Sequence, residues 1–301
     1  MILHMKLLKG VKLAPFTTLR VGGKARYLAE PSTEEELKEL LRFARLEGLP
    51  VLVLGAGSNV VLGDFDGLVI RTVRLRGLRV REEGDELKVS ALCGTPLSEL
   101  IKTVLSWGGE GIYRLAGFPA TVGGAVAMNA GSFGAEVSDF LTSVKVITPD
   151  GEPERLKREE LAFGYRSSPF PKRGLVLEAV FRFKKARGPL REKLREVLKK
   201  RKARQPAGLP TSGSAFKNPP GGYAGKLLES CGFKGFRVGG AGFSEKHANF
   251  LVNYGGASFE EVRELLELAS ERVKELTGTE LEKEVKLVEA RGAYGWKLVG
   301  A

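Results

Sequence analysis

Two stretches of this chain are built with few large side chains. Val51-Leu52-Val53-Leu54 is an apolar, β-branched run that reads as a buried strand, and it delivers Gly55-Ala56-Gly57-Ser58-Asn59-Val60. Further on, Leu115-Ala116-Gly117-Phe118-Pro119-Ala120-Thr121-Val122-Gly123-Gly124-Ala125 leads into Met128-Asn129-Ala130-Gly131-Ser132-Phe133-Gly134. Glycine lets the main chain aim its N–H groups at an anion, and Ser58 and Asn59 add donors, so the first loop can cradle a phosphate or simply end a strand. The second suits a flat or phosphorylated ligand lying against the backbone. Close packing of a helix on a sheet selects the same small residues. Two such stretches in one chain favour a ligand. The first loop does not follow the dinucleotide pattern G-x-G-x-x-G, because Val60 stands at the third glycine. Downstream, Leu75-Arg76-Gly77 offers no acid for a ribose hydroxyl.

Other chemistries are poorly supplied. His4 and His247 are the only histidines, so a Ser-His-Asp triad would have to use one of them. Cys93 and Cys231 lack neighbouring ligands for zinc and are too few for a disulfide framework; both read as buried small hydrophobes. His247 reads as a core or helix-terminus histidine. The 48 basic and 36 acidic residues leave a net charge of +12. Arg71, Arg74, Arg76, Arg79 and Arg81 form one basic cluster, and Lys199, Lys200, Arg201, Lys202 and Arg204 another. Acidic residues interleave in 190–204, so the second reads as a solvated amphipathic helix rather than a polyanion site. No uncharged apolar run reaches the ~18–20 residues of a membrane helix, and the first residues are too lysine-broken for a signal peptide. Asn and Gln are scarce beside Glu, Lys and Arg, a bias found in proteins from hot environments. These features lead us to expect a cytoplasmic protein that binds neither nucleic acid nor membrane.

The elements that must position the loops follow from periodicity and punctuation. At 301 residues two or three units are expected. Ser32 and Glu35 suggest a capping box opening a helix to Gly48, and 68–72 reads as a strand after the first glycine loop. The first part thus reads β-α-β-β. Strands are expected at 78–81, 86–91, 144–148 and 175–183, and a helix from Thr95-Pro96 to Gly108-Gly109. Gln205-Pro206 marks a boundary. Beyond it come a short helix at 223–231, a strand at 249–253, a helix opened by a Ser258/Glu261 capping box, and a last strand at 285–288.

Taken in order, several segments resemble one known family. Thr17-Thr18-Leu19-Arg20-Val21-Gly22-Gly23 and both glycine stretches look like the flavin-binding parts of the UDP-N-acetylenolpyruvoylglucosamine reductase (MurB) family. Phe163-Gly164-Tyr165-Arg166-Ser167-Ser168, Gly213-Ser214-Ala215-Phe216-Lys217-Asn218-Pro219, Ala224-Gly225-Lys226-Leu227-Leu228-Glu229, Lys246-His247-Ala248-Asn249-Phe250 and Leu281-Glu282-Lys283-Glu284-Val285 match in the same order. The likeness covers nearly the whole chain and is to the family's shorter form. Ala120 departs from it, since the family usually has Gly after Pro119.

The resemblance implies an α+β fold of three units. These are a two-part FAD-binding module of the vanillyl-alcohol-oxidase type, 1–76 and 77–205, and a C-terminal α/β substrate-binding domain, 206–301, whose last strand is free to return to the first unit. It implies non-covalent FAD held by Gly55, Gly57, Ser58, Asn59, Val60, Gly117, Pro119, Gly123, Gly124, Asn129 and Gly131. The implied reaction uses NADPH to reduce a UDP-sugar enolpyruvyl ether in peptidoglycan precursor synthesis, in a monomer. Arg166 would then pair with the substrate carboxylate as enolate-like charge builds on it. Glu284 would hydrogen-bond that charge, and Ser214 would give the proton to carbon. Tyr165, Lys217 and Asn218 would contact substrate. From the residues alone, Ser214 is a turn serine, Glu284 a strand-edge charge and Arg166 a salt-bridge partner. The rival readings are a flavin oxidase of the same fold and a basic RNA-binding protein. The oxidase reading is weakened because neither glycine stretch holds a His or Cys for covalent flavin. The RNA reading lacks an aromatic RNA-binding strand.

Overall fold

The computed structural model describes residues 5–186, 188–290 and 298–300. Among them, three sheets carry the site. The first is a mixed sheet ordered Leu8–Lys12, Lys24–Ala29, Val60–Arg71, Val51–Leu54 and Leu298–Gly300, with Lys286–Ala290 also on Val60–Arg71. Val60–Arg71 is long enough to take two parallel partners along one edge. Its first half pairs with Lys286–Ala290 and its second with Val51–Leu54, while Lys24–Ala29 runs parallel on the other edge. The first half was not expected from sequence, because Gly63-Asp64-Phe65-Asp66-Gly67 breaks the apolar run that signals a strand. Gly67 is needed there: a Cβ would lie 2.3 Å from the Pro50 carbonyl oxygen.

The helix Glu34–Leu46 buries Leu37, Leu40, Leu41 and Ala44 between this sheet and Ile147, Leu175 and Leu177 of the second. Its N-cap is Thr33, whose hydroxyl accepts from Glu36 N at 3.1 Å, not the expected Ser32. Glu36 reaches back one residue further, to Ser32 N at 2.6 Å, so the capping contacts form one position later than the Ser32/Glu35 spacing suggested.

The second sheet is antiparallel, in the order Pro153–Lys157, Leu141–Ile147, Leu175–Lys184, Glu86–Leu92 and Leu78–Glu83. Leu87, Val89 and Ala91 alternate inward and pack against the helices Leu97–Ser106 and Val122–Ala127. The third sheet, Thr211–Ser214, Phe250–Asn253, Ala241–Phe243 and Arg237–Val238, lies under the helix Phe259–Thr277. That helix carries both halves of the expected capping box, Glu261 N to Ser258 Oγ at 3.1 Å and Ser258 N to Glu261 Oε2 at 2.9 Å. Leu19, Val21 and Val61, the last from the first sheet, enter the same core. No described helix is long and apolar enough to cross a membrane.

Candidate active site

A cleft of about 420 Å³ opens between the first and third sheets, lined by both glycine stretches, Arg166, the Thr211–Ser214 strand and Glu284. The two loops that form its floor touch each other. Gly57 takes φ +66°, and its carbonyl accepts from Thr18 N at 2.9 Å. A Cβ on Gly57 would sit 2.1 Å from the Phe16 carbonyl oxygen, and one on Gly55 would sit 2.3 Å from Thr121 Oγ1. These two glycines are therefore required by the fold as well as by any ligand, and a substitution at either would not test ligand binding cleanly. Thr121 caps the helix Val122–Ala127, accepting from Gly124 N. Gly124 differs from the first two: the nearest atom to an added Cβ is Thr121 Oγ1, at an ordinary 3.4 Å.

Arg166 stands in a tight turn closed by Gly164 N to Ser167 O and Ser167 N to Gly164 O, each 3.0 Å. Its φ of +51° is uncommon for a residue with a side chain. The turn aims the guanidinium inward: Nε donates to Glu284 Oε1 at 3.0 Å and Nη2 to the Gly131 carbonyl at 2.7 Å. Glu284 is held from two sides. Its N–H bonds the Ala215 carbonyl at 2.8 Å, next to Ser214, and its carbonyl accepts from Asn59 Nδ2 at 3.2 Å, in the first loop. Burial pushes the Glu284 carboxyl above the ordinary carboxylate range, against the opposing pull of Arg166, Lys217 and Lys286. The cleft thus brings together a guanidinium, a carboxyl whose pKa burial raises, and the Ser214 hydroxyl.

Gly55, Gly57, Ser58, Asn59, Val60, Gly117, Pro119, Gly124 and Gly131 line the cleft with these three. Gly123 and Asn129 do not. Gly123 packs on Cys93, where a Cβ would come within 2.7 Å of the Cys93 Cβ, and Asn129 is fully buried. Tyr165, Lys217 and Asn218 also stand outside the lining. Tyr165 is 47% exposed under the Arg166 guanidinium, Lys217 pairs with Glu282 at 2.6 Å, and Asn218 Oδ1 caps the Ala224–Ser230 helix through Ala224 N at 3.1 Å.

Sequence reasoning missed Arg201 and Ser212. The helix Leu190–Arg204 is not wholly solvated: Leu190, Leu194, Val197 and Arg201 share a face, and Arg201 reaches into the cleft. Its guanidinium lies 5.2 Å from the Phe118 ring centre and 5.4 Å from that of Phe133, and donates to Ser132 Oγ at 3.0 Å. The 190, 194, 197, 201 spacing carried this signal, obscured by the surrounding charge. Cys93 is buried, its thiol pushed up to about 12, but Cys231 is partly exposed, against expectation, because it follows the end of a short surface helix. His247 is half-buried against Phe250, and burial lowers its pKa; His4 lies outside the described residues. The described residues contain no cluster of metal ligands.

The chain matches the family model for the C-terminal domain of UDP-N-acetylenolpyruvoylglucosamine reductase over residues 205–288 and an FAD-binding domain model over 25–157. It is 49% identical to the UDP-N-acetylenolpyruvoylglucosamine reductase of Aquifex aeolicus over 99% of this chain and all of that one. The Synechococcus sp. (strain JA-3-3Ab) reductase is 41% identical, over 93% of this chain and 90% of its own. The chain belongs to the UDP-N-acetylenolpyruvoylglucosamine reductase family. The crystal structure of MurB from Thermus caldophilus superposes with a TM-score of 0.78 at 36% identity, covering 94% of this chain and 99% of that one. As a member, the chain is an FAD-containing oxidoreductase.

The residues present fit that cofactor. Ser212 Oγ and Arg201 Nε are buried at the cleft without a hydrogen-bond partner, and each such orphan costs about 1–3 kcal/mol unless a ligand satisfies it. Gly124 presents bare backbone where the fold would accept a side chain. Gly124→Leu should therefore keep the fold, since Leu is the better helix former, yet lower flavin retention more than about tenfold, equivalent to about 1.4 kcal/mol. Flavin absorbance per chain after gel filtration, with circular dichroism as the control, checks this. Parent-like flavin content would show that the helix start does not face the cofactor.

Proposed function

We propose that this chain catalyses the NADPH-dependent reduction of UDP-N-acetylglucosamine enolpyruvate to UDP-N-acetylmuramate, a step of peptidoglycan precursor synthesis. What supports the reading most is the Arg166–Glu284 pair, set with Ser214 in the same cleft as both glycine loops. When bound, FAD would supply the hydride-transfer chemistry between NADPH and the enol ether. The glycine loops, with Ser58 and Asn59, would hold its diphosphate and ring. Arg166 pairs with the substrate carboxylate and stabilises it as enolate-like charge develops. Glu284, protonated, donates a hydrogen bond to the same oxygen. Ser214 gives its proton to the carbon beside the carboxylate. Tyr165, Lys217 and Asn218 would contact the substrate beside Arg166 and Ser214. The proposed division is a cofactor module of 1–76 and 77–205 with a substrate domain from 206. One chain supplies every group the reading needs, so a monomer suffices, and the proposed use of NADPH suits a cytoplasmic enzyme.

A visible spectrum tests the reading. The purified protein should be yellow, and acid should release the colour into the supernatant, because no His or Cys lines the cleft among the described residues. NADPH should bleach it, and the enolpyruvyl substrate should restore the colour. Colour bound to the acid pellet would indicate covalent flavin. Reoxidation by oxygen but not by the enol ether would indicate an oxidase.

A further inference from the structure

Asn129, expected among the cofactor contacts, is absent from the cleft lining and has no exposed surface. It follows the helix Val122–Ala127, with Asn129 N bonding Val126 O at 3.1 Å and Ala130 N bonding Ala125 O at 2.8 Å. Asn129 itself takes a left-handed φ of +44°. That is the position at a helix end where glycine is the ordinary choice. Capping alone therefore does not explain an asparagine.

Its side chain does. Nδ2 donates to the Gly164 carbonyl at 2.9 Å and to Glu136 Oε2 at 2.8 Å, and Oδ1 accepts from Ser138 N at 3.2 Å. Gly164 is the residue that closes the turn presenting Arg166, and Arg166 is held there in a sparsely populated conformation. The other oxygen of Glu136 lies 3.9 Å from Arg166 Nη1. Gly131, two positions after Asn129, takes the Arg166 Nη2 hydrogen bond. One buried amide thus grips both the backbone of the Arg166 turn and the carboxylate beside the guanidinium. An aspartate of the same shape would face Glu136 and a carbonyl with no proton to give.

We infer that Asn129 is a positioning residue for Arg166, acting through the Gly164 carbonyl and Glu136, and that it does not bind the cofactor. The inference rests on the reading of Arg166 as the group that stabilises substrate charge. Asn129→Gly tests it, because glycine suits the backbone at least as well and removes only the amide. The variant should keep its flavin and bleach with NADPH at the parent rate. Reoxidation by the enolpyruvyl substrate should slow by about tenfold, in kcat rather than KM, as expected for residues coupled in one hydrogen-bond network. In an Arg166→Ala background the same change should add almost nothing. Glu136→Ala, which cuts one arm of the network without opening the buried site, should behave likewise and serves if Asn129→Gly does not fold. Parent-like reoxidation by both variants, or losses that simply add to that of Arg166→Ala, would overturn the inference. Parent-like reoxidation by Arg166→Ala itself would instead overturn the underlying reading of Arg166.

Discussion

Ser214→Ala should bleach with NADPH at close to the parent rate and then stall. Reduction of the flavin requires no proton on substrate carbon, so the first half-reaction does not use the hydroxyl. In the proposed mechanism the second does. Positioned general acids contribute about 10²–10⁴-fold, so reoxidation by UDP-N-acetylglucosamine enolpyruvate should slow by at least about 10²-fold. Ser214 ends the Thr211–Ser214 strand, where it pairs with Phe250 in the sheet, and loss of one hydroxyl removes none of the backbone bonds that hold it. Stopped-flow absorbance separates the two steps, and the parent product formed in deuterium oxide should carry deuterium beside the carboxylate. A variant that reoxidises as fast as the parent would pass the proton-donor role to Glu284 or to water.

The second large effect belongs to Glu284. In the proposed mechanism Glu284→Ala removes a hydrogen bond aimed at developing charge, and losses of about 10²–10³-fold are typical for such donors. Glu284→Gln retains an N–H donor and should lose less. The two also differ in how they respond to pH. Burial raises the Glu284 pKa above the usual carboxylate range, so the parent holds its proton where a free glutamate has lost it. As pH climbs through that raised pKa the proton leaves, and parent reoxidation should fall. Stability follows the same sign. The contribution of a group whose folded pKa is raised is complete below its unfolded pKa and is lost as pH rises through the folded one. Both declines with rising pH should be absent from Glu284→Gln, which does not titrate. Single-turnover rates and thermal midpoints across pH check this. A Gln variant that keeps the parent's fall in rate with rising pH would assign that titration to another group.

What could be read from the sequence was what local chemistry determines. The glycine loops stood out because bare backbone needs particular residues, and the Ser258/Glu261 box because a helix start has fixed spacing. The Leu87, Val89, Ala91 alternation gave its strand for the same reason. The upstream half of Val60–Arg71 was hidden, since its glycines and aspartates are tolerated only through the neighbouring strands. Arg201 was hidden by its charged helix. The Arg166–Glu284 pair joins residues 118 positions apart, and no pattern along the chain brings them together; only the family resemblance pointed to both. Asn129 was noticed for its glycine-rich surroundings, yet its partners Glu136 and Gly164 come from two later segments.

The bond from Asn59 to the Glu284 carbonyl spans 225 positions, and Lys286–Ala290 then runs parallel beside the strand that follows Asn59. Contacts of such long sequence separation are entropically expensive to close and form slowly. During synthesis the first sheet must wait, with half of one edge of its longest strand unpaired, until residues near 290 have left the ribosome. The carboxyl reaches the cleft only with that late strand. A nascent or prematurely terminated chain would lack the Glu284 carboxyl that the proposed reduction uses, and the bond that Asn59 makes to its carbonyl.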